Sequence, residues 1–303
     1  MDIGIIGAGA MGCLYACLLS GQHRVTLYDV SPAVVDAINR QGITLCEPDG
    51  TQTVYSVPAQ FSGQGTTAPE LLILFVKDLY SAAALETNRA LIGAHTRVLS
   101  LQNGMGNEEI LRQFVPGERV LLGTTKHNCV TKAPGVIYHS GAGITHIGAP
   151  EGGETAAAPV VAAFAASGIE TAYCPGVRHL LWEKLFVNMT VNPLTALLDA
   201  PIGTLATDPE LQAYARALID EAVRVAAADG ERFDAETVFP QLIGTAAALS
   251  TGKASMCQDL EKKRRTEIDF INGAVVRLGK RYGIPTPYHS AILHLIHAKE
   301  NLM

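Results

Sequence analysis

The sequence of 303 residues has no apolar run long enough to cross a membrane and no long basic run. Its longest apolar stretch, residues 156–169, is interrupted by Pro159, whereas a membrane-spanning helix needs about 20 apolar residues. A formal charge of -6 without a long basic run argues against a nucleic acid as the main partner. We therefore expect neither a membrane protein nor a nucleic-acid-binding protein.

The chain also lacks a C-x-x-C motif, and its six cysteines are scattered. Cys13 and Cys17 are one helical turn apart, a spacing that suits two small core residues better than a zinc pair. This usage fits a reducing cytoplasm. Because no basic segment precedes the opening "MDIGIIGAGAMG", we expect no secretory signal and a cytoplasmic protein.

Internal repeats and low-complexity linkers are absent, and the length suggests two domains. Hydrophobic residues make up 48% and charged residues 17%, which is enough apolar material for a full core. Strand and helix patterns alternate over residues 1–174, which predicts a mostly parallel, doubly wound α/β sheet. Helical periodicity dominates residues 175–303, which predicts an all-α domain. A ligand site between the two halves is the expected arrangement.

A glycine-rich turn at the first strand–helix junction has the form G-x-G-x-x-G. The motif comprises Gly7, Ala8, Gly9, Ala10, Met11 and Gly12. Gly7 permits a tight turn, Gly9 lets the backbone approach a pyrophosphate, and Gly12 lets helix and strand pack closely. Because a second strand follows the helix, the pattern predicts a Rossmann domain that binds a dinucleotide.

Asp29 ends the second predicted strand, about 20 residues after the motif. A carboxylate there can accept hydrogen bonds from the adenosine ribose and would repel a 2′-phosphate. No arginine follows closely, so the sequence favours NADH over NADPH. The alternative is that Asp29 only caps the next helix, which Ser31 before Pro32 could do equally well.

Two polar residues end later strands of the predicted sheet. Lys77 follows "LLILFV" and Asn103 follows "VLSLQ". Both would lie at the carboxyl ends of strands, where open α/β sheets bind ligands. The alternatives are an ordinary surface lysine and, because Gly104 and Gly106 follow, an asparagine that only stabilises a turn.

A polar row interrupts the most apolar helix pattern of the second half, "LLWEKLFVNMTVNPLTALL". Lys184, Asn188 and Asn192 are spaced four residues apart and stay on one side of a helix. Burying them without partners is costly, so the row is either a surface stripe or faces a polar cavity.

A second segment, residues 253–273, carries Ser255 near a helix start and Glu267 near the edge of a predicted helix. The buried face of that helix would comprise Ile268, Ile271, Val275 and Leu278. Glu267 there needs a partner, for which a lysine is the obvious choice. The alternative is a solvated helix edge, because residues 262–265 are all basic.

These residues resemble the ketopantoate reductases (2-dehydropantoate 2-reductases). The segments "GIIGAGAMG", "LQNGMG", "GITHIG", "KLFVNMTVNPLTAL", "ASMCQDL" and "RRTEIDFING" occur in the family's order over nearly the whole chain. The resemblance implies a Rossmann domain followed by a helical domain, often dimeric, with the active site in the cleft. It also implies reduction of a 2-oxo acid, ketopantoate to pantoate in pantothenate biosynthesis, by a nicotinamide cofactor.

The resemblance implies roles for individual residues. Lys184 matches the proton donor to the substrate ketone, and Glu267 matches the acidic residue that orients the cofactor ribose and the lysine network. The positions that hold the 2-oxo acid correspond to Asn103, Asn188, Asn192 and Ser255. Besides the glycine motif and Asp29, the positions at the cofactor correspond to Lys77, Asn103, Asn128 and Glu267.

Two positions depart from the family pattern. The family commonly uses NADPH, with an arginine after the second strand, whereas this chain has Asp29 followed by Val30. The family also often has an asparagine before the glycine that follows the "NPLTA" helix, and here Ile202 precedes Gly203. An apolar residue there would suit a branched or aromatic 2-oxo acid, so an NAD-dependent D-2-hydroxyacid dehydrogenase is the alternative.

Three other functions are alternatives to a 2-oxo acid reductase. A β-hydroxyacid dehydrogenase shares the glycine motif and the lysine–asparagine pair, but the Ser255 and Glu267 segments favour the ketopantoate group. A non-catalytic redox sensor on the same fold would not need Lys184. A metal enzyme is disfavoured because His294 and His297 have no third ligand nearby in the sequence.

Overall fold

The computed structural model describes all 303 residues and divides into two compact units. The first unit comprises Met1–Gln102 and Asn107–Val177, and the second comprises Asn103–Gly106 and Arg178–Met303. The sequence predicted a single boundary between residues 174 and 175. The loop Asn103–Gly106 groups with the second unit because its Met105 N–H donates to the carbonyl of Phe270 at 2.8 Å.

The first unit contains twelve strands and five α-helices. The strands are β1 (Asp2–Ile6), β2 (Arg24–Asp29), β3 (Ile43–Cys46), β4 (Gln52–Tyr55), β5 (Ala59–Phe61), β6 (Leu71–Leu74), β7 (Arg97–Ser100), β8 (Val120–Thr125), β9 (Asn128–Ala133), β10 (Val136–Gly141), β11 (Thr145–Gly148) and β12 (Thr171–Tyr173). The helices are α1 (Ala10–Ser20), α2 (Pro32–Gln41), α3 (Ser81–Thr87), α4 (Asn107–Leu111) and α5 (Gly153–Ala166).

Eight strands form one sheet in the order β12-β11-β8-β7-β6-β1-β2-β5. Every neighbouring pair is parallel except β8 and β11, so the predicted mostly parallel sheet is confirmed. All four residues of β6 are buried, as expected for a strand covered on both faces. Cys13 and Cys17 are buried in α1 as core residues, and burial raises the pKa of the Cys13 thiol to about 12.

The remaining four strands form a second sheet in the order β4-β3-β10-β9. β3 and β4 make the antiparallel hairpin predicted from the Pro-Asp-Gly turn at residues 48–50. β9 and β10 pair antiparallel, and β10 pairs parallel with β3. This sheet therefore joins two hairpins that lie far apart in the sequence.

The second unit is helical. Its helices are α6 (Val177–Leu198), which begins at the last residue of the first unit, α7 (Thr204–Thr207), α8 (Pro209–Ala228), α9 (Ala235–Ala248), α10 (Ser255–Glu261), α11 (Asn272–Tyr282) and α12 (Pro287–Asn301). The α8 N-terminus is capped by Asp208, which accepts hydrogen bonds from the Glu210 and Leu211 N–H groups. None of the helices combines the length and apolar composition that a membrane span requires.

The core of the second unit includes the buried apolar residues of α6, among them Leu185, Phe186 and Met189. Trp182, the only tryptophan of the chain, is fully buried there. Its indole Nε1–H donates to Asp229 at 3.1 Å, and its ring centroid lies 6.0 Å from that of Phe186. The single indole N–H is therefore satisfied in an otherwise apolar environment.

Candidate active site

The glycine motif forms a tight turn in which two of the three glycines have no room for a side chain. Gly7 has φ +101°, and a Cβ there would lie 2.8 Å from the Val76 nitrogen. A Cβ on Gly12 would collide with the Gly7 carbonyl oxygen. These contacts explain the first and third glycines by chain packing alone.

Gly9 differs, because a Cβ built on it meets nothing within 4 Å. It is exposed, and it lies directly before α1, whose N-terminus has no side-chain cap. The first-turn N–H groups of a helix have no partner within the helix and carry partial positive charge. The open space at Gly9 therefore fits a pyrophosphate, and nothing in the chain's own packing requires glycine there.

Asp29 holds this turn from the neighbouring strand. Its Oδ2 accepts a hydrogen bond from the Ala8 N–H at 2.7 Å, and its Oδ1 accepts one from the Ser31 N–H at 2.8 Å. The Ser31 side chain makes no cap for α2. Asp29 therefore holds the glycine turn as well as the backbone at the start of α2. Its carboxylate is fixed beside the turn and has lone pairs left for further donors.

Lys77 follows β6 and lies in a tightly held segment that sequence reasoning did not detect. The Gln102 amide nitrogen donates to the Val76 carbonyl at 2.7 Å and to Ser81 Oγ at 2.8 Å. On the other side, the Asn107 amide donates to Asp78 at 2.7 Å. Both residues that flank Lys77 are therefore anchored. Gly7 lies against Val76, and its N–H donates to the Tyr28 carbonyl at 2.8 Å, so the ends of β1, β2 and β6 meet at this turn.

Asn128 is the first residue of β9 and is exposed. The preceding His127 is held by a chain of side chains: its Nδ1 lies 3.0 Å from His139 Nε2, and His139 Nδ1 lies 3.2 Å from Glu47 Oε1. Burial, followed by the nearby His139, lowers the pKa of His127. The two histidines had no evident signal in the sequence, because their contact depends on the pairing of β9 with β10.

The predicted polar row lies on α6. Lys184 and Asn188 are half-buried and Asn192 is 7% exposed, among buried neighbours such as Leu185 and Met189. The row is therefore not a fully solvated stripe. One lysine cation and two amides, which carry both donors and acceptors, therefore follow one side of α6 next to residues of the core.

Glu267 does not lie on a helix, contrary to the expectation from the sequence. It sits in a turn before α11, and its carbonyl accepts hydrogen bonds from the Phe270 and Ile271 N–H groups. The helix starts only at Asn272, because Glu300 from α12 holds the Thr266 N–H and hydroxyl and fixes the preceding backbone. The four residues predicted to form the buried face of this helix are all buried, but two of them, Ile268 and Ile271, precede α11. The other two are Val275 and Leu278.

Asn103 and the Glu267 turn meet through the backbone of their neighbours. Gly104 has φ +82°, and a Cβ there would collide with the Phe270 carbonyl, to which the Met105 N–H also donates at 2.8 Å. The two predicted site segments "LQNGMG" and "RRTEIDFING" therefore pack directly on each other. Asn103 itself is half-buried.

Three other predicted positions lie in the helical unit. Ser255 is the first residue of α10, as expected, and it is exposed. Ile202 is 9% exposed and packs in the core cluster, with its N–H donating to the Gly252 carbonyl at 2.9 Å. His297 pairs with Asp269 at 3.1 Å, and no group of three metal-ligating side chains is found.

Comparison with known proteins covers both units. The family model "Ketopantoate reductase PanE/ApbA" matches residues 3–152, and its C-terminal counterpart matches residues 176–300. A 2-dehydropantoate 2-reductase from Halobacterium salinarum is 33% identical over 299 residues, covering 98% of each chain.

Solved structures give the same result for the fold. D-mandelate dehydrogenase in complex with NADH and anilino(oxo)acetate superposes with a TM-score of 0.92 at 30% identity, covering 100% of this chain and 99% of that one. A PanE/ApbA family ketopantoate reductase from Ralstonia eutropha superposes with a TM-score of 0.89 at 29% identity and the same coverage.

Proposed function

The chain belongs to the ketopantoate reductase family, and on that premise we propose that it reduces 2-dehydropantoate to pantoate in pantothenate biosynthesis. The nicotinamide cofactor supplies the hydride when it is bound. The ketone carbon gains that hydride, the ketone oxygen gains one proton, and a 2-hydroxy acid and the oxidised cofactor result. The chain must therefore supply a proton donor and groups that hold a carboxylate.

Lys184 is the proposed proton donor, and its place in the half-buried row on α6 is the observation that carries the proposal. Hydride addition builds negative charge on the ketone oxygen. An ammonium group stabilises that charge and can deliver the proton. Glu267 is proposed to keep the lysine charged and to orient the cofactor ribose, because a nearby carboxylate favours the cationic form.

The amide side chains are proposed to orient the 2-oxo acid. Asn188 and Asn192 follow Lys184 at one-turn intervals, so they extend along a bound substrate from the ketone end. Asn103 and Ser255 would add neutral donors to its carboxylate and hydroxyl groups. Neutral donors suit this task because they position an anion without competing with Lys184 for the reacting oxygen.

NADH is the proposed cofactor, although NADPH is common in the family. The Asp29 carboxylate is fixed beside the glycine turn and would repel a 2′-phosphate. The neighbouring strand β5 and residues 62–66 after it contain no basic side chain that could hold such a phosphate. Val30, which is 70% exposed, offers an apolar surface next to Asp29 for the adenine. Lys77 and Asn128 complete the proposed cofactor contacts.

A second candidate function is reduction of a branched or aromatic 2-oxo acid, as in NAD-dependent D-2-hydroxyacid dehydrogenases. The structural similarity to D-mandelate dehydrogenase bound to NADH supports it. So does the apolar Ile202, where an asparagine is common in the family. Both candidates assign the same chemistry to Lys184, and they differ only in the group attached to the 2-oxo acid.

A substrate panel separates the two candidates. Initial rates are measured for 2-dehydropantoate, 2-oxoisovalerate and phenylglyoxylate, each with NADH and with NADPH. We expect the highest kcat/KM with 2-dehydropantoate and NADH. Highest kcat/KM with phenylglyoxylate would select the second candidate, and no turnover with any 2-oxo acid, despite NADH binding, would reject both.

Assembly and compartment are part of the proposal. We expect a homodimer in the cytoplasm, and the six cysteines, all free thiols, fit a reducing compartment. Light scattering coupled to size-exclusion chromatography measures the mass in solution. A mass of one chain at micromolar concentration would contradict the dimer.

A further inference from the structure

Helix α6 contains a proline at the end of its polar row. Pro193 lies inside the helix, directly after Asn192. Proline has no N–H, so the carbonyl four residues earlier loses its helical hydrogen bond. That carbonyl belongs to Met189, which is fully buried and directly follows Asn188. A buried carbonyl without a donor is costly, and this one lies between the two asparagines of the row.

The missing donor is replaced from another helix. The Asn272 side-chain amide, at the start of α11, donates to the Met189 carbonyl at 2.9 Å. Asn272 is fully buried, and its own Oδ1 has no hydrogen-bond partner. Residue 272 is therefore a buried amide of which only the nitrogen makes hydrogen bonds. An apolar residue of the same size would avoid the unsatisfied oxygen, so the donor has a purpose that packing alone does not provide.

His289 determines which way this amide points. Its Nε2 lies 3.0 Å from the Leu218 carbonyl, which requires that Nε2 carries the proton. Its Nδ1 is then an acceptor and receives the second Asn272 N–H at 3.2 Å. With the amide reversed, the Asn272 oxygen would face the Met189 carbonyl and the His289 lone pair. The orientation with the nitrogen toward Met189 is therefore the one that both partners favour.

We propose that Asn272 is a positioning residue that supplies the hydrogen bond deleted by Pro193 and so holds the turn of α6 that carries Asn188 and Asn192. This inference rests on the proposed function, because it gives those asparagines their role toward the 2-oxo acid. Asn272 contacts neither substrate nor cofactor in this role. It acts through the Met189 carbonyl, and His289 acts through Asn272.

The test restores the deleted hydrogen bond by another route. Asn272→Leu removes the donor while keeping the number and branching of the side-chain heavy atoms. Pro193→Ala gives residue 193 an N–H that can reach the Met189 carbonyl within the helix. The wild type, the two single variants and the double variant are compared by steady-state kinetics. The measured quantities are kcat, KM for the 2-oxo acid and KM for the cofactor.

We expect Asn272→Leu to lower kcat/KM for the 2-oxo acid roughly five- to tenfold, the effect of one hydrogen bond. KM for the cofactor should stay within about twofold, the scatter expected for an uncoupled site. Pro193→Ala alone should be close to the wild type, and the double variant should regain most of the loss. A double variant as impaired as Asn272→Leu, or a fully active Asn272→Leu, would overturn the proposal.

Hydrogen exchange of the peptide covering residues 184–198 gives a readout that does not depend on turnover. Faster exchange in Asn272→Leu and protection regained in the double variant support the hydrogen bond even if no 2-oxo acid is reduced. Inactive wild type would thus reject the proposed function, and unchanged exchange would reject the role of Asn272. If Asn272→Leu does not fold, Asn272→Ala and the double variant Asn272→Ala/Pro193→Ala are compared in its place, by the same kinetics and hydrogen exchange.

Discussion

The Asp29 carboxylate accepts a hydrogen bond from the backbone N–H of Ala8 at 2.7 Å. This bond links the end of β2 to the turn between β1 and α1, two segments that a dinucleotide would contact at its ribose and its pyrophosphate. The negative charge of Asp29 therefore has two effects. It holds the turn in the free protein, and it is the feature that would distinguish the two nicotinamide cofactors.

Replacing Asp29 by asparagine should shift the cofactor preference toward NADPH. The change removes the charge that would repel a 2′-phosphate. It also turns an NH₂ group toward one of the two backbone N–H groups, so both cofactors should bind more weakly. The ratio of kcat/KM for NADPH to that for NADH cancels this common loss, and we expect it to rise about tenfold, or about 1.4 kcal/mol. An unchanged ratio would show that Asp29 does not select the cofactor.

Lys184→Ala should abolish 2-oxo acid reduction and leave NADH binding largely intact. Loss of a general acid costs about 10²–10⁴ in kcat. Single-turnover rates and fluorescence titration with NADH measure the two properties separately. Lys280→Ala, which removes an exposed lysine of α11, is the matched control and should have wild-type kcat. Retained turnover in Lys184→Ala would reject the assignment of the proton donor.

Alanine substitutions at Gly9 and Gly12 should separate cofactor binding from folding. Gly12→Ala places a methyl group against the Gly7 carbonyl and should lower the melting temperature. Gly9→Ala meets no protein atom within 4 Å, and its backbone angles, φ -75° and ψ -167°, suit any residue. We expect Gly9→Ala to fold with a loss of at most about 1 kcal/mol and to bind NADH much more weakly. Normal NADH affinity in that variant would contradict the proposed pyrophosphate position.

The buried His289 should make the protein less stable in mild acid. Burial lowers its pKa to about 4 from 6.5, so the unfolded chain binds a proton that the folded chain does not. Its contribution to stability is present above pH 6.5 and is lost as the pH falls toward 4, by at most about 3 kcal/mol. Urea unfolding at several pH values measures this slope. His289→Gln should flatten it, and His95→Gln, at an exposed position, should not.

Features that depend on residues close in the sequence were predictable. The glycine turn, the hairpin of β3 and β4 and the row on α6 each belong to one local pattern, and the structure contains all three. The prediction that Glu267 lies on a helix was wrong because the structure there depends on residues far apart in the sequence. The backbone before α11 is set by hydrogen bonds from Thr266 to Glu300, on another helix near the C-terminus. Local periodicity carries no information about such a contact.

The contacts that support the predicted site residues could not be predicted from the sequence either. The Gln102 amide next to Lys77 and the Asn272 amide beneath Met189 each satisfy a carbonyl on a different element. A pattern of apolar and polar residues shows which side chains are buried, but it does not show which polar groups they meet. The proposed reactive residues could be named from their type and spacing, whereas the residues that hold them could be identified only from the fold.

The fully buried Trp182 is an intrinsic fluorescence probe of the helical unit. Excitation at the red edge of indole absorption addresses one side chain, six residues before Asn188 on α6, without any label. Its emission follows the melting of the helical unit alone, while the Rossmann unit contributes only tyrosines. Comparison of that signal with far-ultraviolet circular dichroism would reveal whether the two units lose their structure in one transition or in two.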